Sequence, residues 1–114
     1  MRLIAALIAA CALATAPPAL ADNTVSDDGH EFYENCTDTS LYMQGFCLGY
    51  VRGLLHGYEV LRVGIGAPAC IPSSVTMGDL RDIVVRYIGR HPADRDEPAL
   101  VLFARAVNDK WGCT

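Results

Sequence analysis

The sequence lacks the patterns that mark most nucleic-acid, metal and nucleotide sites. Its basic residues are scattered, whereas phosphate binding needs clustered Lys and Arg, so a nucleic-acid partner is excluded. There is no C-x-x-C or H-x-x-x-H spacing for zinc, and no G-x-S-x-G, H-E-x-x-H, P-loop or G-x-G-x-x-G motif. We therefore expect no metal and no cofactor. No alternating apolar run is long enough for a convincing strand, and the expected fold class is all-α.

The first 21 residues read as a secretory signal peptide. Arg2 supplies a positive charge, an apolar run follows, and Ala19-Leu20-Ala21 forms an A-x-A cleavage site. The run is shorter than the roughly 20 apolar residues that a bilayer span needs. A lipoprotein box at Ile8-Ala9-Ala10-Cys11 is the weaker alternative, because the apolar run continues past it. We expect a signal peptide over 1–21, a domain over 22–114, a periplasmic location and no membrane segment in the mature form.

Removal of the signal peptide leaves an acidic domain of 93 residues. It keeps eight basic and thirteen acidic side chains, a net charge of −5, with much of the acid before residue 39. Such a charge can steer a basic protein partner, and it also keeps a protein soluble without any further role. The polar stretch from Asp22 to Gly29 predicts a loose N-terminal arm.

The cysteine count indicates disulfides. Cys11 leaves with the signal peptide, and an even set in an exported chain implies oxidation. The four that remain are Cys36, Cys47, Cys70 and Cys113. Three pairings are possible, and we favour Cys36–Cys47 and Cys70–Cys113 because both are local and need no threading. In the chain-entropy model these bridges contribute roughly 3 and roughly 4 kcal/mol. A catalytic cysteine requires a free thiolate beside a base, so we expect no enzyme.

Apolar residues at spacings of three and four predict three main helices and a short N-terminal one. The short helix covers His30 to Cys36 and the longest Ser40 to Arg62, followed by a loop over 63–74. Thr76 opens the next helix, with Asp79 completing a variant capping box and Asp82 pairing with Arg86, until Pro92 stops it. Asp96 is the expected N-cap of the last helix, with Pro98 in its first turn. Together they predict a small disulfide-stapled helical bundle.

Four glycines recur at every fourth position of the longest predicted helix. They are Gly45, Gly49, Gly53 and Gly57. Each interior glycine costs about 0.8–1.0 kcal/mol relative to alanine, roughly 3–4 kcal/mol together. We expect a compensating close approach by another helix, either from the same chain or from a second protomer. A membrane dimer is excluded because Arg52, His56 and Glu59 interrupt the segment.

The order of short motifs carries a family resemblance. Along the chain come GHEFYENC at 29–36, FCLGYVRG at 46–53, CIP at 70–72, residues 75–80, VVRYI at 84–88, HP at 91–92 and WGC at 111–113. This order resembles the Rap/Tai family, immunity proteins against type VI secretion amidase effectors. Family members often have proline before the last cysteine, where this chain has Gly112.

The resemblance implies a helical periplasmic protein that binds a secreted cell-wall amidase, often as a homodimer, and covers its Cys/His active site. By this analogy a projecting element fills the enzyme cleft. The candidates are the loop around Gly64–Pro72, with Gly64, Ile65, Gly66 and Ile71, and the turn His91–Glu97, with Asp94 and Arg95. An orphan periplasmic binding protein of the same fold, such as an acid-stress chaperone, is the alternative, and a small enzyme is a third hypothesis.

Overall fold

Four α-helices build the domain in the computed structural model, which describes residues 27–113. They are α1 (Gly29–Thr37), α2 (Leu41–Gly64), α3 (Met77–Arg90) and α4 (Ala99–Trp111), with a short 3₁₀ helix at Pro92–Asp94. No strand occurs in this part of the chain, which confirms the all-α prediction of three main helices and a short N-terminal one. The proposed signal peptide and Cys11 lie outside the described residues. None of the helices from 27 to 113 has the length and apolar content needed to cross a bilayer.

Side-chain caps explain where the first three helices begin. Asp28 accepts a hydrogen bond from the backbone N–H of Glu31 at 3.0 Å, and Ser40 accepts one from Met43 at 3.2 Å. Thr76 and Asp79 cap each other, because each side chain accepts from the other residue's backbone N–H at 3.1 Å. Each cap satisfies a backbone donor that has no partner within its helix. The predicted capping box is therefore confirmed.

Three local predictions are wrong at the ends of the helices. α2 continues through Gly64, so the loop starts two residues later than expected. Asp96 does not cap α4: it lies 3.0 Å from His30 Nε2, and the extended Pro98 takes the N-cap position. Asp82 accepts a hydrogen bond from the neighbouring Arg81 at 2.9 Å, and no bond joins it to Arg86.

The segment from Asp27 to Gly29 is fastened to the body, which corrects the expectation of a loose arm at these positions. The backbone N–H of Ala99 donates to the carbonyl of Asp27 at 2.7 Å, and that of Gly29 donates to Glu97 at 3.1 Å. These bonds join the start of α1 to the start of α4. Gly29 is consequently buried.

The apolar faces of all four helices meet in one core. Its largest fully buried side chains are Phe32, Val51, Leu80, Val84, Ile88, Leu102, Phe103 and Val107. Each disulfide has one sulfur in this core, because Cys47 and Cys113 are buried in it. Cys36–Cys47 joins α1 to α2 with 5.1 Å between the Cα atoms, and Cys70–Cys113 joins the segment before α3 to the end of the chain with 5.7 Å. These are the pairs favoured from the sequence.

The glycine row of α2 faces away from the core. A Cβ added at Gly45, Gly49 or Gly53 would meet no atom within 4 Å, and one at Gly57 would lie 3.7 Å from Leu100. A close helix from the same chain is therefore wrong for the first three glycines, because the other helices pack on the opposite face of α2, around Val51 and Leu54. A second protomer remains a prediction.

Candidate partner-binding surface

The α2–α3 loop, residues 65–76, starts with a tight reversal of the chain. Ile65 donates its backbone N–H to Leu61 at 3.2 Å, and Gly66 donates to Val63 at 3.0 Å. Gly66 has a φ of +69°, in the left-handed region that favours glycine. The backbone N–H of Ala67 then returns to the carbonyl of Arg62 at 2.9 Å. These bonds fold the first loop residues against the end of α2.

Two further restraints hold the loop in place. Arg62 donates from Nε and Nη2 to the carbonyl of Pro68, at 3.0 and 2.8 Å. Cys70 is tied through its disulfide to Cys113, which is buried in the core. A loop restrained on both sides loses little conformational entropy when a partner binds it, so more of the contact energy becomes affinity.

The last turn of α2 and the start of the loop present apolar side chains to solvent. Val63 and Ile65 are each 78% exposed, and Gly64 and Gly66 are exposed beside them. Ile71 differs from the other candidates because it is half-buried and packs against the core. Val63 was not among the residues predicted to bind the partner. The signal that could have identified it is its position outside the buried stripe of α2.

We call the exposed residues Val63, Gly64, Ile65 and Gly66 the tip. A pocket of about 280 Å³ lies next to it. Tyr58, Val63, Ala67 and Ile71 supply apolar lining, and Glu59 and Arg62 add charged groups. Tyr58 is 6% exposed and Glu59 is exposed. The Tyr58 hydroxyl accepts from Arg62 Nη1 at 3.3 Å, and the guanidinium carbon lies 5.5 Å from the ring centroid. The loop thus combines a protruding apolar tip with an adjacent apolar recess.

The His91–Glu97 turn, the second candidate, contacts its own chain through both proposed side chains. The Arg95 guanidinium lies over the ring of Tyr33, and Asp94 lies 3.9 Å from Arg105. The turn lies just before α4, whereas the Cys70–Cys113 disulfide ties the α2–α3 loop to the residues just after α4. The 13 residues of α4 span roughly 20 Å, so the two candidate elements lie at opposite ends of that helix.

A third candidate surface, which is apolar and exposed, runs along the solvent side of α2. We define the outer face of α2 by the open glycines at 45, 49 and 53 and the side chains of Leu41, Tyr42, Phe46 and Val60. These four side chains are between 47% and 87% exposed. Exposed apolar area of this extent on one helix is typical of a surface that another protein covers.

Comparison with known proteins identifies the family. The family model of the Rap1a immunity proteins matches residues 28–113, which is about three quarters of the chain and nearly all of the described helical body. The chain belongs to the Rap1a immunity protein family. No curated protein and no solved structure matches it. The family resemblance seen in the order of motifs is confirmed, and an immunity protein acts on a secreted effector protein.

In the described part of this Rap1a-family chain, the four cysteines and two of the three histidines make structural contacts. All four cysteines there are in disulfides, and a disulfide sulfur is not a nucleophilic thiolate. His91 lies with Nδ1 2.7 Å from the carbonyl of Tyr87 and stacks on that residue's ring, and His30 contacts Asp96. Between residues 27 and 113, no group of three or more His, Cys, Asp or Glu side chains could hold a metal ion.

Proposed function

We propose that this protein is a periplasmic immunity protein that binds a type VI secretion peptidoglycan amidase and covers its active site. The supporting observation is the junction between α2 and the α2–α3 loop, where Val63 and Ile65 are each 78% exposed on a restrained support. Enzyme clefts are concave and largely apolar, so a convex apolar tip suits one. The protein acts as a binding protein and not as an enzyme.

Occlusion requires geometry and affinity but no chemical step. The tip displaces water from the amidase cleft and buries its side chains there, and fully burying a Val or Ile side chain contributes about 1.5–3 kcal/mol. The hydrogen bonds of Arg62 and the Cys70 disulfide hold the tip in place before binding. The net negative charge favours encounter with a basic enzyme surface.

The periplasmic location belongs to this proposal. The amidase attacks peptidoglycan, so an inhibitor must meet it on the outer side of the inner membrane. A cleavable signal peptide over 1–21 would deliver the chain there. Two disulfides fit that destination, because disulfides persist in oxidising compartments such as the periplasm.

A homodimer formed through the outer face of α2 completes the proposal. In an antiparallel pairing around a two-fold axis, Gly49 would face Gly53 of the second protomer, while Tyr42 and Val60 would meet at the ends. Such a pairing uses the same patch on both copies, as two-fold dimers require. The open glycines would let the two backbones approach closely, which offsets their cost in helix propensity.

Gly49→Leu tests the dimer. The site is open in the single chain, so the variant should fold with an unchanged helical circular-dichroism spectrum. We expect sedimentation equilibrium to show a dimer for the wild-type mature protein and a monomer for this variant. A wild-type monomer at high micromolar concentration, or a variant that stays dimeric, would refute the α2 interface.

Inhibition assays test the proposed function. The mature protein is titrated into purified cell-wall amidases whose genes lie beside its own, and peptidoglycan cleavage and affinity are both measured. We expect tight binding and complete inhibition by one of them. Ile65→Asp should weaken binding at least tenfold, whereas Val101→Asp, an exposed apolar position on α4 outside both the tip and the outer face of α2, should leave it unchanged.

Two outcomes would contradict the proposal in different ways. Tight binding without inhibition would show that the chain does not cover the active site. Failure to bind any such amidase, together with apolar dye binding that rises at low pH, would support the orphan acid-stress chaperone alternative instead.

A further inference from the structure

We infer that the pocket beside the α2–α3 loop is a second contact site, which receives one large apolar side chain that the partner presents next to a lysine or arginine. Recognition would then be reciprocal, because the partner inserts into this protein while the loop inserts into the partner. The identity of the partner rests on the proposed function, whereas the existence of the pocket site does not.

The size and lining of the pocket select an apolar side chain. An apolar cavity of about 150 Å³ already binds benzene, so 280 Å³ accommodates a leucine or phenylalanine side chain. Tyr58 is buried, Val63 lies in the last turn of α2, and Ile71 packs against the core. Ala67 belongs to the reversal of the chain that follows α2. A side chain that fills this recess would lose most of its contact with water.

The pocket is formed before any partner arrives. Ala67 is held by its backbone bond to Arg62, and Arg62 also donates twice to Pro68. On the opposite side, the Cys70 disulfide fixes the lining segment to the core. The side chains that dominate the energy of protein interfaces typically fill well-packed, desolvated pockets of this kind.

The charge at the edge selects what accompanies the apolar side chain. Glu59 is exposed, lines the pocket and also lines the neighbouring depression formed with His56 and Val60. Within residues 27–113 its carboxylate makes no hydrogen bond or ion pair. Arg62, the other charged group, is directed to Pro68 and Tyr58 instead. A basic side chain on the partner would therefore find a carboxylate available at this edge.

Dipeptide probes test the pocket without a cognate effector. The mature protein, labelled with nitrogen-15, is titrated with acetyl-Leu-Lys-amide and, as a matched probe of opposite charge, acetyl-Leu-Glu-amide. Burial of a single leucine supports only weak binding, so we expect millimolar dissociation constants. Amide shifts should cluster at Tyr58, Val63, Ala67 and Ile71, and the lysine probe should bind at least threefold more tightly.

Two variants and a control separate the apolar from the charged contribution. Ala67→Leu fills the pocket and should abolish the shifts caused by both probes. If Ala67→Leu lowers the unfolding midpoint, Ala69→Leu, at an exposed lining position, is used in its place. Glu59→Lys should reverse the preference between the probes. The control Glu34→Lys makes the same charge change at an exposed position of α1 and should have no effect. Dispersed shifts, or shifts unchanged in the filled variants, would overturn the pocket site.

A second test measures the affinity of the pocket-filling variants for the cognate amidase. Filling the pocket should weaken that complex at least tenfold while Ile65 remains in place. Wild-type affinity in the filled variants would refute the inference and leave the proposed function standing. If no amidase binds at all but the lysine probe still binds in the pocket, the proposed function fails and the pocket site stands.

Discussion

The guanidinium of Arg95 lies over the aromatic ring of Tyr33, with 4.1 Å between the guanidinium carbon and the ring centroid. Nε of the same side chain donates to the carbonyl of Ile88 at 3.4 Å, and the Arg95 carbonyl accepts from the backbone N–H of His30. One residue in the turn after α3 thus contacts both α3 and α1. This arrangement assigns Arg95 to holding the turn against α1.

Arg95→Ala should therefore reduce stability more than it reduces partner binding. A partly desolvated cation–π contact contributes about 1–2 kcal/mol, and we expect the free energy of unfolding in urea to fall by that amount. Arg95→Lys should restore part of the loss, because it keeps the charge but not the planar group. A variant with unchanged stability and weakened effector binding would instead place Arg95 in the partner surface.

The sequence predicted most of the fold because its signals were local. The apolar spacing in α2, α3 and α4 determines which helix face is buried, and Thr76 with Asp79 determines where α3 begins. Two of the errors occurred where a distant segment decides the outcome. Asp96 looks like an N-cap, but α1 lies beside it and offers His30. The glycine row looks like a contact within the chain, but the other helices occupy the opposite face of α2.

Gly29 is expected to be the most sensitive glycine of the described chain. A Cβ at this position would contact the Leu102 side chain and lie 3.0 Å from both the Cα and the carbonyl oxygen of Arg95. Backbone atoms cannot move aside cheaply, so Gly29→Ala should lower the free energy of unfolding by about 1–3 kcal/mol. Thermal and urea unfolding measure the change.

Gly53→Ala is the matched control for that experiment. Its Cβ would meet nothing in the single chain, and alanine is the better helix former by about 0.8–1.0 kcal/mol. The control should gain stability at protein concentrations where the chain is monomeric. Equal effects of the two substitutions would contradict the packing described around Gly29.

The Thr76–Asp79 cap should make stability depend on pH in the acid range. Hydrogen bonds from the Thr76 hydroxyl and backbone N–H hold the pKa of Asp79 below its ordinary value of 3.8. Because the unfolded chain takes up this proton first, the contribution is complete above pH 4 and is lost as pH falls through the lowered pKa. Asp79→Asn should lower the unfolding midpoint at pH 7 and flatten the pH dependence below pH 4. A slope unchanged from wild type would assign that dependence to other carboxylates.

The candidate surface was only partly predictable. The loop could be located because proline, glycine and Cys70 interrupt the helical pattern. Which side chains point outward depends on how α2 ends, and the continuation of the helix to Gly64 leaves Val63 exposed next to Ile65. The pocket could not be foreseen, since its lining combines residues of α2 with residues 67–71 of the loop, which come together only in the folded chain.

Removal of each disulfide in turn should separate stability from partner binding. Cys70–Cys113 closes a sequence separation of 43 residues and restrains the α2–α3 loop, whereas Cys36–Cys47 closes 11 residues and joins α1 to α2 away from it. In the chain-entropy model, the paired serine substitutions should cost roughly 4 and roughly 3 kcal/mol of unfolding free energy, respectively. Both variants are compared where each is still folded by circular dichroism. There, loss of the Cys70 bridge should weaken effector affinity at least tenfold because the tip must be ordered on binding, and loss of the Cys36 bridge should leave affinity within about twofold. The opposite ranking of affinities would show that α1 and the first half of α2, and not the restrained loop, carry the partner contact.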